Sequence, residues 1–237
     1  MKIYHENSEE PAGAGFYDRA LSGNSVRKFW HLFKFEAAFS CVPQGAERIL
    51  DLGCSAGTFI GHFLCRLKPK RLAGVDVNAD SIKLASSKYG KPGVEFFKGK
   101  LSGQNFPDGS FDAITCLEVL EHLNEDEALS TLRKANDLLS ASGCLIITTP
   151  DYDSHWRFIE VLLDLVSRQN YIKQHVNRFN KKKLVRLLNK AGFKIKTCSN
   201  ILGFSPFIAL VNMRMAQTIF KKERWGALIL CVAEKAD

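Results

Sequence analysis

Apolar residues along this chain fall into short unbroken runs, separated by longer stretches in which they recur every three or four positions. The runs "RILDLG" (48–53), "RLAGVDV" (71–77), "VEFFKG" (94–99), "FDAITCL" (111–117) and "CLIITTP" (144–150) have strand length. Between them, 56–67 sets Phe59, Ile60, Phe63, Leu64 and Leu67 on one stripe and predicts a helix. Asn78 is placed to cap a second helix, reaching about Tyr89. The stretch "NEDEALSTLRKANDLLSASG" begins as a capping box, Asn124 with Glu127. It continues as a Leu129, Leu132 and Leu139 stripe, with Gly143 as the expected stop. Strand–helix alternation of this kind predicts a parallel sheet with helices on both faces and right-handed crossovers.

The two ends break the alternation. "VRKFWHLFKFEAAF" (26–39) and part of 151–178 read as amphipathic helices outside the core pattern, natural covers for a site at the sheet's edge. Near the C-terminus, "NKKKLVRLLNKAGF" is an amphipathic helix ending at Gly192, and "KIKTCSNIL" and "ALILCVAEK" are two further strands. The intervening "ILGFSPFIALVNM" is apolar, but Pro206 interrupts it. It reads as core loop and helix, with loose membrane contact as the alternative. The reading is one domain over 1–237: a helical cap (1–45), a ligand-binding half (46–150), a lid or substrate segment (151–178) and the rest of the sheet (179–237).

Composition adds little to this picture, and charge somewhat more. Seven scattered cysteines without a C-x-x-C pair, several inside apolar runs, suggest reduced thiols. With no apolar leader at the N-terminus, the expectation is a cytoplasmic protein without stable membrane insertion. A net charge of +8, with clusters at 66–71, 180–183 and 221–224, fits solvated faces or an anionic partner. That partner would be an acidic small molecule, a lipid headgroup or nucleic acid.

Ligands of open α/β sheets bind beyond the carboxyl ends of the strands. The first strand ends in "DLGCSAG" and the second in "VDVN". Asp76 stands where an acid accepts both hydroxyls of a ribose, and Gly53 and Gly57 allow close backbone approach. Ser55 occupies a position where a dinucleotide fingerprint needs glycine, and the Lys and Ser/Thr of a phosphate loop are absent. Asp51, inside the strand before the turn, is suited to hold an ammonium group or to orient the loop. A nucleoside bearing an amino acid and no phosphate matches this set.

In order, "ILDLGCSAG", "GVDVNADSI", "FPDGSFDAITCLEVLEHL" and "GCLIITTP" resemble the motifs of class I S-adenosylmethionine-dependent methyltransferases. "EVLEHL" is most similar to the branch of ubiquinone-biosynthesis O-methyltransferases and related small-molecule and glycan methyltransferases. The resemblance implies a Rossmann-like, doubly wound seven-stranded sheet, mostly parallel with the last strand antiparallel. It implies S-adenosyl-L-methionine as cofactor and S-adenosyl-L-homocysteine as product. Position by position, Gly53, Cys54, Ser55 and Gly57 would line the methionine part, with Asp51 at its amino end. Asp76 would bind the ribose, Val77 would meet the adenine, and Leu117 and Glu118 would close the site. Two positions depart from the pattern. Ser55 replaces the middle glycine, which the turn is expected to accept only with negative φ. Lys100 replaces the acid that takes the adenine amino group, and a lysine cannot accept that hydrogen bond. Adenine recognition then falls to the backbone near Leu101 or to another side chain.

An oxygen acceptor needs a proton acceptor, and His122 with Glu121 is the assignment, made without a metal ion. A helix-capping role for both is the alternative. A further alternative is an RNA 2′-O-methyltransferase, since E-x-x-E-H (118–122) also resembles a divalent-metal site of small-RNA 3′-end methyltransferases. His175 would then be the distal ligand and His155 a poorer one. A protein that binds the cofactor without turnover is the third reading. Tyr17, Trp30, His31, Asp151, Tyr152, Trp156 and His175 are expected on the acceptor side.

Overall fold

A computed structural model describes residues 15–22, 26–167, 174–220 and 225–236, with side chains omitted for 162–167. Most of the cap before Phe16, residues 168–173 of the lid segment and the basic cluster at 221–224 lie outside the described residues.

Seven strands form one sheet: β1 (Arg48–Leu52), β2 (Arg71–Asp76), β3 (Val94–Lys98), β4 (Phe111–Leu117), β5 (Leu139–Pro150), β6 (Phe193–Ile201) and β7 (Leu228–Lys235). Their spatial order is β3-β2-β1-β4-β5-β7-β6. The pairs β1·β2, β1·β4, β2·β3 and β4·β5 are parallel, and β7 runs antiparallel to both β5 and β6. The strand order reverses between β1 and β4, which opens a crevice at the carboxyl end of β1. The apolar runs are strands because both faces are covered: Ile49, Leu50, Ile114, Ile146 and Ile147 are wholly buried, within clusters on either side of the sheet.

Helices α1 (Phe16–Ser22) and α2 (Val26–Ser40) form the N-terminal cover. The stripe at 56–67 divides into α3 (Thr58–His62) and a 3₁₀ turn, Leu64–Leu67, because Phe63 leaves helical dihedrals where its ring packs on Phe35 and Phe39. Helix α4 (Ala79–Tyr89) is capped by Asn78, whose side chain accepts from Ser81 N. The Asn124–Glu127 capping box is present at the start of α5 (Glu125–Leu138). Gly143 is not the stop of that helix, as expected from the sequence. The helix ends at Leu138, and Leu139 already pairs with Phe111 across a bulge. A Cβ at Gly143 would lie 3.1 Å from the Phe111 carbonyl oxygen, so glycine serves close strand approach there.

Helix α6 (Trp156–Ser167) follows β5, and α7 (Lys181–Lys190), capped by Asn180, precedes β6. Two short helices, α8 (Ser205–Ile208) and α9 (Met213–Phe220), link β6 to β7. Their stretch was expected in the core, and only one side of it is there. Ser205, Pro206, Ala209 and Ala216 are buried, whereas Phe204, Phe207, Leu210 and Val211 face outward.

Candidate active site

The turn after β1 is built from three departures from ordinary backbone, at alternate residues. Gly53, Ser55 and Gly57 have φ of 68°, 49° and 75°. The negative φ expected at Ser55 is therefore wrong. The residue sits in the left-handed region, at a cost of about 1–2 kcal/mol for a side chain with a Cβ. What holds it there is Asp76, at the end of β2. Its Oδ2 accepts from Ser55 N at 2.9 Å and its Oδ1 from Asn78 N at 2.8 Å. The two glycines are required for space as well as for φ. A Cβ on Gly53 would lie 2.3 Å from Val119 Cγ2, and one on Gly57 would lie 2.9 Å from the Phe96 ring. These close neighbours are protein atoms, so part of what glycine does here is internal packing.

Asp51 is fully buried within β1, where Thr115 on β4 donates to its Oδ1 at 2.6 Å. Burial raises its pKa to about 7, against the Thr115 hydrogen bond, and the Asp76 charge adds to the rise. Burial likewise raises Asp76, against the backbone N–H groups it accepts from. A cation placed near these carboxyls would relieve both.

Tyr17, Lys34, Phe35, Asp51, Gly53, Cys54, Ser55, Thr58, Phe59 and Leu117 line one cleft. Its space is only ≈ 20 Å³, about that of a single water. Lys34 of α2 closes it. The side chain is 1% exposed, and its Nζ donates to Glu118 Oε2 at 3.2 Å while standing 5.0 Å from the Tyr17 ring and 5.1 Å from that of Phe35. Glu118 has φ of 58°, a strained backbone at the end of β4.

The second expected group lies on the other side of Glu118. Glu121 is buried and accepts from Thr149 Oγ1 at 2.9 Å. Burial, with the Glu118 charge adding to it, pushes its pKa up to about 8. His122 Nδ1 lies 3.3 Å from the Gln174 carbonyl oxygen. With Nδ1–H donating there, Nε2 keeps its lone pair. Burial lowers the His122 pKa to about 4, with the neighbouring His175 contributing. The ring centroids of His122 and His175 are 5.1 Å apart. His175 Nδ1 lies 2.7 Å from Glu160 Oε1 and 2.9 Å from Tyr152 Oη, and Tyr152 donates to the same Glu160 oxygen at 2.6 Å. Ligand atoms of Glu121, His122 and His175 come within 4.8 Å of one another.

Other expectations fare unevenly. Val77 is half exposed at the end of β2, open to a ligand ring, whereas Leu101 is buried in the core. Lys100 reaches Glu127 Oε1 at 3.1 Å, away from the cleft lining. His31 is partly buried against the rings of Phe16, Tyr17 and Phe35, and desolvation drives its pKa well down, so it packs within the cover. Asp151 is buried and accepts from Asn200 Nδ2 at 2.6 Å. Trp156 is buried, with Trp30 at 6.1 Å and His175 at 6.2 Å between ring centroids. His155 stacks edge-on with Trp225, so it is not in the histidine group.

Lys34, Thr115, Thr149 and Glu160 were not read from the sequence. Lys34 carried a signal, as the single charge on the otherwise apolar helical stripe Trp30-Lys34-Ala38.

A family model described as a methyltransferase domain matches residues 20–197. The ubiquinone biosynthesis O-methyltransferase of Chromobacterium violaceum is 23% identical over 175 residues, 70% of this chain and 72% of that protein. The fatty-acid O-methyltransferase of Mycolicibacterium smegmatis is 31% identical over 72 residues, 30% of this chain and 26% of the relative's length. A solved SAM-dependent methyltransferase from Thermotoga maritima matches with a TM-score of 0.65 at 22% identity, over 92% of this chain and 94% of that one, a likeness of fold.

Proposed function

The chain belongs to the family of class I S-adenosylmethionine-dependent methyltransferases, and from that premise we propose that it methylates an oxygen of a small molecule or of a saccharide or lipid intermediate. S-adenosylmethionine, the cofactor, supplies when bound a methyl group already activated on a sulfonium. The donor set fits such a ligand: a buried carboxyl, Asp51, and a half-buried one, Asp76, flank a glycine turn whose backbone is drawn close, and no phosphate-gripping lysine follows it. In this reading Asp51 receives the ammonium group and Asp76 the ribose hydroxyls. Gly53, Cys54, Ser55 and Gly57 shape the amino-acid end, with Leu117 and Glu118 as its wall. Val77 and the chain near Leu101 flank the base.

The chain's own work is positioning, the exclusion of water and removal of the acceptor's proton. His122 Nε2 is the proposed proton acceptor. The observation that carries this is the contact of Nδ1 with the Gln174 carbonyl oxygen, which sets the tautomer with Nε2 unprotonated; burial, by lowering the pKa, keeps the ring neutral near pH 7. Glu121 holds the loop: its carboxyl accepts from Thr149 and its carbonyl from Asn177 N at 3.0 Å, tying the His175 segment to β4. An O-methyl product is the type named for both curated relatives above, one in ubiquinone biosynthesis and one acting on fatty acids. The test is incorporation of labelled methyl into candidate acceptors, lipophilic hydroxyls and carboxylates first. Labelling found only at nitrogen acceptors would contradict the oxygen assignment.

A second reading rests on the close approach of Glu121, His122 and His175. A divalent ion held by one carboxylate and two imidazoles would bind vicinal hydroxyls such as those of a terminal ribose. Activity on RNA ends that disappears with chelator and returns with Mg²⁺ or Mn²⁺ would select this reading over the first.

A further inference from the structure

Helices α8 and α9 are anchored on one side only. Their inner residues pack on the cover, where the Phe220 ring stacks on Phe33 of α2 at 4.9 Å between centroids. Their outer side is a ridge of Phe204, Phe207, Leu210, Val211 and Met215, each at least half exposed and Val211 91%. All five fall within twelve residues of chain and turn away from the core, while Ser205, Pro206 and Ala209 between them, and Ala216 just after, are buried. Trp225 extends the ridge across the molecule, meeting the Phe204 ring at 4.8 Å and the His155 ring at 5.2 Å. Just beyond His155, Phe158 of α6 is 78% exposed. Apolar surface this continuous marks an interaction site.

Charge identifies what it fits. Arg214 lies inside the ridge and Arg157 beside Phe158, both exposed. Aromatic and aliphatic side chains flanked by cations suit the boundary between acyl chains and anionic headgroups. Among the described residues no helix is long and apolar enough to cross a membrane.

We propose that this ridge docks the protein on the surface of a bilayer containing anionic lipids. The location gives the docking a use. Helix α6 carries Glu160, which holds His175, and α9 packs on the helix that carries Lys34. A docked molecule has both the acceptor side and the cofactor cover beside the lipid. This use rests on the proposed lipid-type acceptor, while the docking itself rests on the ridge and its charge.

The test is flotation of the whole chain with phosphatidylcholine vesicles, with and without about one-third phosphatidylglycerol. The wild type is expected to float with the anionic vesicles, less with neutral ones, and to be released by salt. The variant Val211→Glu/Met215→Glu is expected to lose at least about tenfold in partition. Its thermal midpoint and its affinity for S-adenosylhomocysteine should be unchanged, since both side chains project outward. No flotation of the wild type overturns the proposal, as does equal flotation of the variant. Light scattering that shows a wild-type dimer split by the same substitutions would assign the ridge to a second copy and also overturn it. Flotation is read without turnover. A chain that floats but methylates no oxygen therefore contradicts only the functional reading, and one that methylates a soluble acceptor but never floats contradicts only the docking.

Discussion

Lys34 Nζ and Glu118 Oε2 meet at 3.2 Å across the cleft between the N-terminal cover and the end of β4. Asp51 and the Asp76-bound Ser55 line the same cleft, and among the described residues Lys34 is the basic side chain lining it. An amino-acid ligand brings a carboxylate as well as an ammonium group, and its carboxylate needs this cation. Lys34→Met is expected to weaken S-adenosylhomocysteine binding by about tenfold or more, some 1.4 kcal/mol. Unchanged or tighter binding would mean that Lys34 only blocks the cleft.

Asp51 makes binding pH-dependent. Its carboxyl titrates near pH 7 in the free protein, and a bound ammonium group favours the carboxylate. Affinity should rise between about pH 6 and pH 8 with release of a proton, and Asp51→Asn should flatten the profile. A flat profile in the wild type would disconnect Asp51 from the ligand.

The same group sets a stability trend. Its pKa rises from 3.8 in the unfolded chain to about 7 in the folded one, so the folded state holds the extra proton between those values. The stability it contributes is fully present below about pH 3.8 and is lost as pH rises through 7. Denaturant midpoints for wild type and Asp51→Asn should therefore diverge from pH 4 to pH 7, the variant lacking this decline. Parallel curves would contradict the assignment.

Ser55 occupies a left-handed position that glycine fills without strain. Ser55→Gly should be neutral or stabilising by up to about 1 kcal/mol, and Ser55→Val destabilising by about 1–3 kcal/mol. Thermal melts decide this, and equal midpoints for the two variants would remove the strain argument.

On the acceptor side, His122→Ala should lower turnover by about a hundredfold or more and leave S-adenosylhomocysteine affinity intact. Glu160→Gln, which removes the carboxylate orienting His175, should reduce turnover less and shift its pH profile. Turnover unaffected by the His122 substitution would retire it as the proton acceptor.

Much of the sheet was legible because buried parallel strands leave apolar runs, as at Leu145–Ile147 and, interrupted only by Asp51, at Ile49–Leu52. The Gly143 stop was misread because a glycine that permits strand approach looks the same in sequence as one that ends a helix. Asp51, Gly53 and Asp76 were legible as a turn between two acids. The sign of φ at Ser55 was not, since it depends on a hydrogen bond that Ser55 N donates to a residue 21 positions away. Lys34 and Glu160 act across the fold, on Glu118 and His175, and no local period reports such pairings. The outward ridge of α8 and α9 was hidden for a related reason, because an apolar stretch does not declare which side the core will take.

The most direct test of the account is calorimetric titration of S-adenosylhomocysteine into the wild type and Asp76→Ala. The account predicts one site per chain, weakened at least about tenfold by the substitution, on the order of 1.4 kcal/mol. No heat of binding with the wild type, or equal affinity for the two proteins, would contradict the placement of the cofactor between β1 and β2.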